Sequence, residues 1–339
     1  MLLAGDVGGT KTLLGLFDAV SDGSASRPRQ VLSRSYPTSE FDSFTAILAA
    51  FARDAAPDVQ SAFTIDAVAV GVAGPVVNER ARVTHIGWDI SVADIGAHFS
   101  SHAAAPAVRL LNDLEAMGLS VEVLEPGEVH VLQTGQPDAD GNAAIIAAGT
   151  GLGAALLHRN NGRLVPVPSE MGHTDFPART DRELEFVRMM RATRGRAAVE
   201  HVLSGRGLVN LHRLTHDGLP CAAVHDPDAP DAPAQVSQAA LDATCASCRE
   251  ALGLFAEAYG AGAGNLALLG VATAGVYVGG GIAPKILPAL RDGRFMRAFL
   301  DKAPMDALVA RIPVRVILNP QAGLLGAAVA AQELRDRAA

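Results

Sequence analysis

The sequence predicts a two-lobed α/β protein. Its 339 residues exceed what one hydrophobic core usually serves. A strand–glycine turn–strand pattern occurs twice, around Gly8 and around Gly151, and reads as a weak internal duplication. Continuous apolar runs such as residues 67–72 and 144–148 alternate with helix-spaced segments, the pattern of a buried sheet covered by helices.

Composition narrows the class. Hydrophobic residues make up 49% and charged residues 19%, an ordinary globular mix. The net charge of -8 argues against a general nucleic-acid binder, which needs a positive field. Three cysteines, Cys221, Cys245 and Cys248, do not suggest a disulfide framework in so long a chain. No apolar run approaches the ~20 residues of a membrane span, and residues 1–4 lack a charged leader region. The expectation is a cytoplasmic protein with neither a membrane nor a nucleic-acid partner.

Taken in order, residues 2–6 read as a strand into a glycine turn, and residues 12–17 as the returning strand. A third strand follows at 30–36, and a helix at 41–53 from the spacing of Phe44, Ile47, Leu48 and Phe51. The run 67–72 is a buried strand, with a hairpin through Asn78-Glu79-Arg80 after it. Residues 108–111 form a strand that delivers Asn112-Asp113 to a helix at 114–123. The second half repeats this: strand 144–148, a glycine turn, return strand 154–157, and a hairpin at Asn160-Asn161-Gly162. Helices dominate 181–213, residues 216–235 read as a loop or insertion, and a long helical region runs from 237 to 269. Strands at 275–278 and 314–318 precede a final helix at 322–337, expected to pack back on the first lobe.

Several motifs carry chemistry. In Gly5-Asp6-Val7-Gly8-Gly9-Thr10 the glycines let backbone N–H groups converge on an anion. Asp6, at the strand end, is placed to hold hydrated magnesium. The competing reading is a plain hairpin; a Walker A loop is ruled out because Thr10 precedes Lys11 where glycine is required. Gly149-Thr150-Gly151-Leu152-Gly153-Ala154 formally fits a dinucleotide fingerprint, but that needs a helix next, and here a hairpin follows. A second phosphate clamp fits better than a dehydrogenase. Asn112, with Glu115 three residues on, reads as a capping box; equally, Asp113 is a carboxylate at the carboxyl end of a strand, where open α/β sheets bind ligands. Glu170 and His173 suit sugar hydroxyls, whereas a lone histidine is more often structural. Cys245-Ala246-Ser247-Cys248 lies in a helical pattern without a second ligand pair, so it reads as thiols on one helix face. Trp88, the only tryptophan, fits either a core or a sugar contact.

In order and spacing these motifs resemble the bacterial glucokinase family, over nearly the whole chain. The resemblance implies an actin-like, ribonuclease H-like fold with a duplicated βββαβα core and an interdomain cleft. The small domain would comprise residues 1–122 plus 319–339, and the large domain 123–318. Gly5, Asp6, Val7, Gly8, Gly9 and Thr10 are similar to the family's first phosphate motif. Gly149, Thr150 and Gly151 match the second, and Gly279, Gly280 and Gly281 the adenosine motif; residues 319–326 are similar to its C-terminal segment. Asn112, Asp113, Glu170, His173 and Glu200 fall at the sugar positions, with Asp113 as catalytic base. The implied reaction is ATP- and Mg2+-dependent phosphorylation of glucose at the 6-hydroxyl by a homodimer, with the lobes closing over the sugar. Two departures stand out: Thr84-His85 precedes the Ile86-Gly87-Trp88 stretch where Thr-Asn is expected, and Lys11 stands where Asn is common. The cysteine-rich zinc element of the related repressor/kinase group is missing after His173, so no zinc is expected. A kinase for another hexose or amino sugar remains open. A sugar-responsive regulator is the weaker alternative, since no helix-turn-helix precedes Gly5.

Overall fold

The computed structural model describes residues 1–20, 27–57, 64–83, 86–99 and 105–338. The chain divides into two units, Met1–Glu125 with Asn319–Ala339, and Pro126–Leu318.

The first unit is built on β1 (Leu2–Val7), β2 (Lys11–Asp18), β3 (Arg29–Pro37), β4 (Ala67–Val72) and, after a small hairpin sheet, β8 (Ala107–Asn112). The small sheet is β5 (Val76–Val77), β6 (Arg80–Val83) and β7 (Trp88–Ser91). Asn78 and Glu79, between β5 and β6, both take positive φ, the backbone of a tight hairpin. The main sheet runs β3-β2-β1-β4-β8, with β1–β2–β3 antiparallel and β4 and β8 parallel to β1. All six residues of β4 are buried, because helices cover both faces. On one face α1 (Phe44–Ala55), capped by the Ser43 hydroxyl, packs Ile47 and Phe51 against Leu3, Leu14, Val68 and Val70. The same cluster takes in Ile95 of α2 (Val92–His98). On the other face Ala116 and Leu119 of α3 (Asp113–Ser120) and the C-terminal helix meet Leu2, Ala4, Leu13 and Leu111.

The second unit contains β9 (Val129–Gln133), β10 (Ala143–Ala148), β11 (Leu152–Asn160), β12 (Arg163–Ser169), β13 (Gly275–Gly279) and β14 (Val314–Ile317). Its sheet order is β12-β11-β10-β13-β14-β9. The β10–β11–β12 meander is antiparallel and β13 and β14 run parallel to β10. The first five strands therefore repeat the order and directions of the first unit's sheet, and β9 adds an antiparallel edge. Asn161 and Gly162, both at positive φ, close the β11–β12 hairpin where the sequence places a turn.

Helices α4 (Asp181–Arg194), α5 (Gly205–His216), α6 (Ala232–Leu241) and α7 (Ala246–Gly270) follow, then α8 (Leu287–Leu290), α9 (Arg294–Leu300) and α10 (Asp306–Val309). The 237–269 region predicted as one helical stretch is thus two helices, because the chain takes a positive φ at Ala243 and restarts at the Cys245 cap. Buried Phe255 and Tyr259 of α7 and Phe295 of α9 stack edge to face above the sheet. The chain ends in α11 (Ala322–Ala338), the C-terminal helix of the first unit.

Candidate active site

In the first unit, Asp6 stands near the carboxyl end of β1, paired with Gly71 of β4. Its carboxyl group faces the start of α11, where a Cβ at Gly323 would stand 2.8 Å from Oδ2, so glycine there gives the acid its space. Burial raises the Asp6 pKa to about 6; Asp113 adds to the rise and Lys11 opposes it. The turn itself is held from below. Gly8 N–H donates to Lys11 O at 3.0 Å and Thr38 N–H to Thr10 O at 3.1 Å. The buried Thr38 hydroxyl donates to Gly8 O at 2.9 Å and accepts from Thr12 at 3.0 Å. Gly8 N–H is thus engaged within the turn, and Thr10 is its exposed member.

Two strands along, β8 ends at Asn112 and α3 begins at Asp113. Asn112 Oδ1 accepts from Leu114 N–H at 2.9 Å, and Asn112 N–H donates to Glu115 Oε2 at 2.8 Å, completing a capping box. Asn112 Nδ2 also donates to Gly74 O at 3.1 Å, tying the loop after β4 to the helix start. The capping reading therefore holds, and it fixes the backbone that carries Asp113. Asp113 Oδ1 accepts from Leu114 N–H at 2.9 Å.

In the second unit, β10 ends at Ala148 and the turn Gly149-Thr150-Gly151 follows. Gly149 N–H donates to Gly151 O, and Gly205 N–H at the start of α5 donates to Gly149 O, both at 2.9 Å. The next element is strand β11, which excludes the dinucleotide fingerprint. Parallel pairing of β10 and β13 brings the third turn beside the second. Gly280 takes a φ of +82°, and a Cβ there would fall 2.3 Å from Ala148 O; this contact explains the glycine. Beneath both turns the buried Tyr259 hydroxyl accepts from Ala148 N–H at 3.1 Å and faces Gly279 O at 3.1 Å and Ile146 O at 3.3 Å.

Glu170, His173 and Glu200 converge in the same unit. Glu170 leads into a 3-10 turn, Met171–His173, and Glu200 lies in another, Val199–His201. His173 Nδ1 stands 3.3 Å from Glu200 Oε1 and its Nε2 3.8 Å from Glu170 Oε2. Arg196 donates to the His173 carbonyl, and Val199 N–H to Thr174 O at 3.0 Å, locking the two turns together. Glu200 Oε2 also lies 3.4 Å from the Cβ position of Gly151, so the cluster borders the second glycine turn. An adjoining cavity of about 460 Å3, lined by Leu156, Phe176, Leu266 and Leu269 among others, is too apolar to match a polyhydroxylated ring.

Residues 3–334 match the Glucokinase family model. The chain belongs to the glucokinase family. It is 35% identical to the glucokinase of Synechocystis over 98% of both chains. A glucokinase structure from an Antarctic psychrotroph superposes with a TM-score of 0.84, 26% identity and 98% coverage of both chains. A ROK family glucokinase from Streptomyces griseus, in complex with glucose and AMPPNP, shares the fold at a TM-score of 0.63 and 22% identity, covering 98% of this chain and 99% of the other. The glucokinase-family chain is accordingly an enzyme of the ATP-dependent glucose-phosphorylating class on the actin-like α/β fold.

Several expectations for this glucokinase-family chain change. Trp88 is buried in the first unit's core with Val83 and Ile90, so it is a packing residue. The Thr84-His85 departure lies outside the described residues. Cys245 and Cys248 do not both lie within the helix: Cys245 caps α7 from outside and Cys248 sits in its first turn. Nor do they lack companions, because Cys221 and His216 lie beside them. Thr38, Tyr259 and Arg196 support the site and were not singled out by sequence. Each acts through contacts remote along the chain, with no motif to mark it.

Proposed function

We propose that this chain transfers the terminal phosphoryl group of ATP to the 6-hydroxyl of D-glucose, giving glucose 6-phosphate and ADP, with Asp113 as general base. The observation that carries the base assignment is the position of Asp113: a carboxylate at the carboxyl end of β8, in the first turn of α3, electrostatically linked to Asp6. The hydroxyl proton passes to Asp113 as the sugar oxygen forms its bond to phosphorus and the bond to the departing ADP oxygen breaks. Asn112, Glu170, His173 and Glu200 bind the remaining hydroxyls and set the line of attack. The turns at Gly8–Thr10, Gly149–Gly151 and Gly279–Gly281 present backbone donors to the nucleotide.

The residues present fit a magnesium ion. Asp6 is a hard oxygen donor whose burial and acidic neighbour leave its charge costly without a cation. Asp6 would hold the ion, which would supply charge neutralisation at the phosphates. Family membership supports placing the enzyme in the cytoplasm, as a homodimer, at the first step of glycolysis.

The test is Asp113→Ala. We expect kcat for glucose phosphorylation to fall by roughly 10²–10⁴; near-normal turnover would remove Asp113 as base. A panel of glucose, mannose, fructose and N-acetylated amino sugars with ATP tests the glucose assignment, which a higher kcat/KM for any other sugar would overturn.

A further inference from the structure

We propose that Cys221, Cys245, Cys248 and His216 bind a zinc ion in a closed tetrahedral site, remote in role from phosphoryl transfer. His216 ends α5, Cys221 follows in the connecting loop, and Cys245 and Cys248 open α7. All three thiols are free. Cys221 Sγ lies 3.7 Å from Cys248 Sγ and 4.0 Å from Cys245 Sγ, and Cys245 Sγ lies 3.4 Å from His216 Nε2. A zinc ion with Zn–S near 2.3 Å and Zn–N near 2.0 Å has S···S edges of about 3.8 Å and S···N edges of about 3.5 Å. The three separations above, 3.7, 4.0 and 3.4 Å, are close to those edges. A disulfide needs sulfurs about 2.05 Å apart, well inside these separations.

The surroundings are arranged for a metal as well. His216 Nδ1 lies 2.9 Å from the His212 carbonyl. A carbonyl can only accept, so Nδ1 carries the proton and the Nε2 lone pair faces the sulfurs, the orientation a ligating histidine needs. Cys248 N–H points at Cys245 Sγ at 3.4 Å, a donor that favours thiolate over thiol. The His212 ring stacks on His216 at 3.9 Å. Both of its nitrogens are buried without a hydrogen-bond partner among the described residues, an exception that calls for an absent species. The ligand atoms of His212, His216, Cys221 and Cys248 all lie within 4.8 Å of one another, so His212 is a further donor in reach. Three thiols and an imidazole suit zinc over hard cations.

The ion would staple a segment with little regular structure of its own. Residues 217–231, between α5 and α6, carry a single isolated bridge, Cys221 with Val224, as their β pairing among the described residues. A connection of that length with so little regular structure is uncommon in a compact domain, and a bound ion would anchor it. The ion would also join the end of α5 to the start of α7, the helix that carries Tyr259.

The full chain, purified without a metal-affinity tag under reducing conditions and incubated with zinc chloride, is dialysed and assayed by elemental analysis. About one tightly held zinc per chain is expected. Cobalt chloride in place of zinc should give intense tetrahedral visible bands and a thiolate-to-cobalt charge-transfer band. Cys245→Ser should weaken zinc affinity at least 10-fold and remove part of the charge-transfer intensity, whereas His212→Ala should keep the sulfur signature. Substoichiometric zinc together with no thiolate–cobalt band in the wild-type chain would overturn the site, whatever the variants do. Unchanged zinc affinity in Cys245→Ser would overturn this ligand set.

Discussion

At the scale of single residues, Asp6 shows how the site trades stability for function. Its folded pKa is raised from 3.8 to about 6. The neutral acid is therefore favoured by folding. That contribution is complete below the unfolded pKa and is lost as pH rises through about 6. Above that pH the metal-free protein carries the cost of an ionised carboxylate next to Asp113. Asp6→Asn keeps the shape and removes the charge. In EDTA, the variant should match wild type near pH 4 and exceed it by about 1–2 kcal/mol at pH 8, allowing for the residue's partial exposure. Thermal melts at the two pH values test this, and a variant less stable at pH 8 would contradict it. The same variant should lose most Mg2+-dependent activity. Glu170→Gln acts differently: on an exposed carboxylate it should raise the KM for glucose with little change in melting temperature. An unchanged KM would take Glu170 out of the sugar site.

At the scale of elements, the two glycine turns of the second unit depend on α7. Tyr259 satisfies Ala148 N–H and bridges toward Gly279 O, so one hydroxyl sets the spacing of the ends of β10 and β13. Tyr259→Phe leaves that N–H buried without its partner, at a cost of about 1–3 kcal/mol. It should raise the KM for ATP and leave the KM for glucose unchanged; chemical denaturation and steady-state kinetics separate the two effects. Equal changes in both KM values would mean general loosening of the fold. Strands and turns of this kind were legible in sequence. Buried runs such as 67–72 and 143–148 have no other home than a sheet interior, and Asn161-Gly162 has one preferred hairpin geometry. Helix ends were less legible. The α3 start was readable from Asn112 and Glu115, whereas the break before α7 carries no proline and depends on Cys245 serving as cap. Long-range partners were not legible at all: His216 and Cys245 are far apart in sequence, and no local pattern announces that one ring faces the other's sulfur.

At the scale of the whole molecule, the repeated sheet order explains why the motifs recur. The first and second glycine turns follow the equivalent central strands β1 and β10, so each unit offers a glycine turn at the same topological place. Helix α11 completes the first of these units. Its buried Leu324, Ala327, Ala328, Ala330 and Ala331 cover β1, β4 and β8, and Leu325 is buried as well. Burial of the two leucines alone is worth roughly 3–6 kcal/mol, a large share of a domain's net stability. Deleting residues 319–339 should therefore unfold the first unit and abolish activity, while residues 126–318 keep a protease-resistant core. Limited proteolysis with mass mapping reads this directly. Survival of an intact first unit would show that α11 is dispensable.

That helix has a further consequence for how the protein is made. The second unit is one continuous stretch and has all its strands once Leu318 has emerged from the ribosome. The first unit, though translated earlier, lacks the cover for one sheet face until the last helix is delivered. A nascent chain stalled before residue 319 would therefore carry Asp6 and Asp113 on a sheet with that face uncovered. Synthesis thus supplies the complete second unit before the last element of the first, although the first unit's Asp6 and Asp113 are made earlier.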